Sequence, residues 1–139
     1  MRPLLALVVA GVALLSASTA HAQAPTVLAA DIDPGQTINQ LLASGFGYTV
    51  TSNGPVEFTA RLTTKVDGRT LLLTTSPRTE SNAGQTGEPV RYSLVSATGK
   101  AAKTLRKLKR ARVTLTVDVT GAGGFQKVLT TSATLPRGL

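Results

Sequence analysis

Seven cations and seven carboxylates carry the chemistry this chain can offer. Lys100, Lys103, Arg106, Lys107, Lys109, Arg110 and Arg112 fall within 13 residues that contain no acid. The chain holds 15 Lys and Arg against 7 Asp and Glu, a formal net charge of +8; past Arg2, near the N-terminus, the excess positive charge belongs to this one segment. Clustered cations raise the local potential and draw in anions, an effect that salt weakens. Phosphate polymers of a cell wall, acidic glycans, lipid headgroups or another extracellular protein are the partners such a surface suits. The bland alternative is a connecting helix whose Leu105 and Leu108 plug a core while long basic stems cover apolar surface and keep their charged ends hydrated. Nucleic acid is not expected. Phosphate contacts alone give sequence-independent binding, and no aromatic residue lies in the segment to stack on bases. Two leucines without Trp or Phe are also a poor membrane anchor.

The carboxylates are Asp31, Asp33, Glu57, Asp67, Glu80, Glu88 and Asp118. There is no Cys, and the only His is His21. That removes the commonest general base, the soft metal ligands and the Ser-His-Asp and Cys-His constellations. A pair of carboxylates working as in a glycosidase is the catalytic chemistry left. The acids are scattered along the chain, so no catalytic residue and no cofactor are expected; a carboxylate-only extracellular enzyme is the remaining catalytic alternative. Asp31 and Asp33, with Asp67 or Asp118, could supply part of a calcium site. Calcium wants about six to eight oxygens, and Asp33 reads as a helix cap, so no metal is assigned. Ser96-Ala97-Thr98-Gly99-Lys100 invites a phosphate-loop reading that fails, because Leu94 and Ala101 stand where glycine and Ser or Thr are needed. It is not a Ser-x-x-Lys motif either, being one residue too long.

The N-terminus says where the chain goes. Met1-Arg2 is a positive start, Leu4 to Leu15 is an apolar run with glycine, and Ala20-His21-Ala22 ends a small-residue stretch. This is the layout of a secretory signal peptide over residues 1–22, cleaved after Ala22. The run is short for a bilayer span. The expected mature protein is a single secreted domain over 23–139, without a transmembrane segment after cleavage. No Cys follows the signal to carry a lipid. Leu135-Pro136-Arg137-Gly138-Leu139 lacks the Thr and the hydrophobic tail of a sortase signal. The protein is therefore expected free in the exterior or held non-covalently at the cell surface.

The elements that must position these side chains have a β texture. Val27–Ile32 reads as a strand. Asp33-Pro34 looks like an N-cap and first helical residue, with Ile38, Leu41 and Leu42 at helical spacing and Gly45 as a stop, giving a short helix over 36–43. Phe46, Tyr48 and Val50 alternate, as do Val56, Phe58, Ala60 and Leu62. Asn53-Gly54-Pro55 and Asp67-Gly68 mark reversals. Leu71–Thr75 and Val90–Leu94 are further strands, separated by a polar surface loop over Ser76–Gly87. Gly99–Arg110 has a narrow apolar stripe at helical spacing. Val113, Leu115, Val117 and Val119 then alternate, and Phe125–Leu135 is the last strand, with a bulge expected near Val128. The sum is all-β: a seven-stranded immunoglobulin-like β-sandwich with a short N-terminal helix and a basic crossover helix before the penultimate strand. A closed barrel is the alternative.

From Gly45 onward the chain resembles an immunoglobulin-like β-sandwich module of exported bacterial, notably actinobacterial, surface and secreted proteins. The matching stretches are LLASGFGYTVTSNGPVEFTARL, GKAAKTLRKLKRARVTLTVDVTGAGG and the terminal strand, together covering most of residues 37–135. The resemblance implies an extracellular structural or binding role and brings no catalytic residues. Two departures stand out: Ser52 and Val56 occupy the places of a frequent Cys pair, and Gly121 and Phe125 those of an Asp and an Asn.

Overall fold

The computed structural model describes residues 24–83 and 86–138. The expected signal peptide over 1–22, with its cleavage after Ala22, lies outside the described residues. Ten elements follow in order: β1 (Leu28–Ile32), α1 (Ile38–Ala43), β2 (Phe46–Ser52), β3 (Val56–Val66), β4 (Arg69–Thr75), β5 (Glu80–Asn82), β6 (Pro89–Leu94), α2 (Gly99–Leu105), β7 (Arg110–Gly121) and β8 (Gln126–Pro136). They build two antiparallel sheets. The smaller has the order β1-β2-β6, and the larger β4-β3-β7-β8, with β5 also pairing with β3. Among the described residues the protein is an all-β sandwich with two short α-helices and one 3-10 turn, Ala122–Gly124.

Alternation explains the stacking. Val56, Phe58, Ala60 and Leu62 of β3 face the same interior as Val113, Leu115, Val117 and Val119 of β7, and both sets are buried. Phe46, Tyr48 and Val50 of β2 close that interior from the smaller sheet. Tyr48, Phe58 and Tyr92 form an aromatic knot across the two sheets, the Phe58 and Tyr92 rings meeting edge-on at 4.8 Å. Polar side chains also tie the sheets together. Asn82 Nδ2 donates to Val50 O at 3.2 Å, and the Thr74 hydroxyl donates to the carbonyl of Val95, just past β6.

Four expectations need correction. There are eight strands among the described residues, not seven, because β5 lies inside the segment read as a loop. β3 is 11 residues long and takes β4 and β5 one after the other along one side. Ser76 bridges the gap between them: its N–H donates to Ala60 O at 2.8 Å, and its hydroxyl accepts from Ala60 N at 3.1 Å. The first helix is capped by Thr37, whose side chain accepts from Gln40 N at 3.1 Å, not by Asp33. Asp33 instead pairs with Arg91, 2.7 Å away across the smaller sheet. The bulge sits between Leu62 and Thr63, against β4, whereas the β7–β8 register runs unbroken through Val128. The basic helix is the crossover from β6 in one sheet to β7 in the other, as the chain order requires, but it stops at Leu105 rather than Arg110.

Candidate basic surface

Two periodicities in succession expose all seven cations. In α2 the buried face is Ala101, Ala102 and Leu105, which leaves Lys100 and Lys103 in solvent. The helix tightens where it ends, with Lys107 N donating to Thr104 O and Leu108 N to Leu105 O, both at 3.1 Å. Arg106, Lys107 and Lys109 lie exposed around this turn, while Leu108 packs on the core. In β7 the period becomes two: Ala111 and Val113 point inward, so Arg110 and Arg112 stand on the outer face of the larger sheet.

The turn is held by a residue the sequence reading passed over. Arg137, just beyond β8, donates through Nη2 to the Arg106 carbonyl at 2.7 Å and also to the Leu108 carbonyl. Its own carbonyl accepts from Asn39 N at 3.0 Å, so one residue ties α1, the basic turn and β8 together. The signal was no more than an Arg placed after a strand-ending Pro136.

None of the seven cations is ion-paired among the described residues. The three ion pairs are Arg61–Asp118, Arg78–Glu80 and Arg91–Asp33. The acids they engage are three of those considered for catalysis or calcium. No group of three or more His, Cys, Asp or Glu that could hold a metal ion occurs among the described residues. Asp31 and Asp33 flank the end of β1, Asp67 sits in the β3–β4 hairpin, and Asp118 lies on the outer face of β7 beside Thr59.

Register brings one more cation to the basic end. Thr64 pairs with Val113 at the end of the β3–β7 ladder, and just past it Lys65 and Arg112 line one concavity, with Thr70 of β4 opposite Lys65 on its other side. A shallow concavity of about 420 Å³ opens there, lined by Thr63, Thr64, Lys65, Thr70, Arg112 and Thr114, without an acid. Arg61 and Asp118 pair further along the same face, and Glu57 lies beyond them beside Thr120; Asp67, in the hairpin two residues past Lys65, is the acid at the basic end and is not part of the lining.

A second polar recess, about 250 Å³, lies at the Asp33–Arg91 pair. Its hydrogen bonds serve the fold. Buried Gln36 behaves like a strand neighbour of Gly47: Oε1 accepts from Gly47 N at 2.6 Å, while Nε2 donates to Gly47 O and Asp33 O at 2.9 Å. The Tyr48 hydroxyl is buried with no hydrogen-bond partner among the described residues. Burial, reinforced by the nearby Glu80 carboxylate and Tyr92, pushes its pKa far above the usual tyrosine value. Tyr92 is shifted the same way by burial and then Glu80, and its hydroxyl donates to Ser81 O at 3.0 Å.

No helix of the described residues is long and apolar enough to cross a membrane. No protein-family model matches the chain, and a search of curated proteins gave no match.

Proposed function

We propose that this chain is an exported, non-enzymatic β-sandwich module, immunoglobulin-like in topology, that holds anionic polymers of the cell envelope on its basic surface. One observation carries this reading: seven cations from Lys100 to Arg112 are all exposed, and none is neutralised by a carboxylate among the described residues. Unpaired cations concentrated on one connection attract polyanions from a distance and let them go as salt rises. The leader-like residues 1–22 and the absence of cysteine fit an exported bacterial domain held together by packing alone. The Ser52 hydroxyl takes over locally where the resembling modules often carry a cystine: it donates to Gly54 O at 2.6 Å and accepts from Gly54 N at 3.2 Å.

The test is sedimentation with isolated bacterial cell walls at low and high salt. The wild-type protein is expected to be retained at low salt and released at high salt. Retention unchanged after Lys103, Arg106, Lys107 and Arg110 are replaced by Ser overturns the proposal. A second reading has its own observation. Leu105 is wholly buried, so α2 also closes the sandwich. If that is its whole role, the protein stays in the supernatant at every salt concentration.

A further inference from the structure

Lys65 of β3 and Arg112 of β7 each stand one position past the last β3–β7 rung, Thr64–Val113, and line one concavity, which brings like charges together between neighbouring strands, an arrangement that destabilises them unless something lies between. Neither residue has a carboxylate partner among the described residues, and the lining of the concavity they share contains none. The remaining lining is hydroxylic. Thr70 stands opposite Lys65, while Thr63 and Thr114 face each other one outward-facing rung along. The Thr114 and Ser132 hydroxyls are 3.1 Å apart, which extends the polar row onto β8. Arg brings a planar fork of donors, Lys a compact charge, and Thr short hydroxyls that can donate or accept.

We propose that Lys65 and Arg112, with the Thr70 and Thr114 hydroxyls, form a subsite for one phosphate group of an anionic polymer. This rests on the polyanion reading and extends it from the α2 turn onto the outer face of the larger sheet. Donors arrive here from three adjacent strands. A tetrahedral phosphate presents oxygens on several sides and can accept from all of them, whereas a carboxylate offers two oxygens in one plane. Only Arg112 belongs to the basic run in the sequence; Lys65 is brought in by strand register across 47 positions of chain.

The experiment is an amide-resolved NMR titration at constant ionic strength. The probes are inorganic phosphate, acetate, long-chain polyphosphate and vesicles containing phosphatidylglycerol. The proteins are wild type, Lys65→Ala, Lys65→Glu and the Lys103/Arg106/Lys107/Arg110→Ser variant. The wild-type spectrum should shift with phosphate at Lys65, Thr70, Arg112 and Thr114, and shift little with acetate. Lys65→Ala should weaken both phosphate and polyphosphate at least fivefold, and Lys65→Glu should abolish the local response while keeping folded-state dispersion. Phosphate shifts spread evenly over every exposed cation, equal responses to acetate, or an unchanged affinity in Lys65→Ala overturn the subsite. Binding to vesicles without binding to polyphosphate overturns the polymer as its source. If Lys65→Ala binds polyphosphate as well as wild type while the four-Ser variant does not, the subsite fails and the basic-surface proposal stands. If inorganic phosphate binds at Lys65 but polyphosphate does not bind at all, the basic-surface proposal fails and the site takes free phosphate, not a polymer's.

Discussion

The guanidinium of Arg137 donates to the carbonyl oxygen of Arg106 at 2.7 Å and to that of Leu108 beside it. A cation thus closes the C-terminal end of a helix that is itself crowded with cations. The contact is favourable because the last carbonyls of a helix lack partners and carry partial negative charge. Both bonds leave from one nitrogen, Nη2, so a Lys ammonium, which carries three donors on one nitrogen, can make the same pair where its stem reaches. Arg137→Ala is expected to cost about 1.5–3 kcal/mol, the range of hydrogen bonds to charged groups. Arg137→Lys should recover most of that loss. Chemical denaturation measures the loss, and amide exchange should speed up first at Leu108 and Lys109. Uniform acceleration across the whole chain would contradict a local clasp.

Tyr48 invites the opposite result. Its ring is held by Phe58 and Tyr92, with centroids 6.4 and 5.9 Å away, while its hydroxyl is buried without a partner among the described residues. An unsatisfied buried hydroxyl costs about 1–3 kcal/mol. Tyr48→Phe keeps the ring and removes that cost, so it should stabilise the protein by about 1 kcal/mol. Tyr92→Phe loses the bond to Ser81 O and should destabilise it. A drop in denaturation midpoint for Tyr48→Phe would show that the hydroxyl does have a partner.

The same burial sets a pH limit. The Tyr48 pKa is raised in the folded state above the ordinary value of about 10, by desolvation first and Glu80 second. Its contribution is fully present below pH 10 and is lost as pH rises, because the unfolded chain releases the phenol proton first. Stability measured from pH 7 to 11 should therefore be flat in this group's contribution up to about pH 10 and then fall. Tyr48→Phe should fall less steeply over the same interval. Identical slopes for the two proteins would assign the alkaline loss to other groups.

How far the chain could be read depends on where each element's partners lie. Val56–Leu62 and Val113–Val119 were legible because one face of each is buried, which forces alternation into the sequence. β5 was not. It is three polar residues long, and its anchor, Asn82, is buried by a hydrogen bond to Val50 in the other sheet. The apolar stripe runs on to Leu108, which carries helical spacing past Leu105; the residue that holds the turn there, Arg137, lies about thirty positions on. The expected cap, Asp33, is not the residue next to Ile38. Thr37 with Gln40 three residues later is the local one, and Asp33 was free to pair with Arg91. Exposure of the seven cations could be read from the two periodicities. Lys65 could not be added to them, since only the β3–β7 register brings it to Arg112.

Gly47 tests the Asp33 pairing. A Cβ built there stands 2.6 Å from Asp33 Oδ2, and both backbone groups of Gly47 are bonded to Gln36. Gly47→Ala should displace the carboxylate from Arg91 and cost about 1–3 kcal/mol, as overpacking does. Asp33→Ala removes the obstacle, so the double variant should be more stable than the sum of the single losses implies. Strict additivity in the cycle would place the strain elsewhere.

Leu105 and its charged neighbours separate closure of the sandwich from capture of a ligand. Leu105 is wholly buried within the core cluster, and Leu→Ala changes at such sites cost about 2–5 kcal/mol. Lys103, Arg106, Lys107 and Arg110 are exposed and unpaired among the described residues. Replacing these four with Ser should change stability by no more than about 0.5 kcal/mol per substitution at moderate salt, since single changes at such surface positions rarely do more. At low salt the four-Ser variant should become the more stable protein, because crowded cations repel one another and salt screens that repulsion. Denaturation curves at two ionic strengths decide this. A large loss on removing the charges would mean that their aliphatic stems, not their charged ends, are what the fold retains them for.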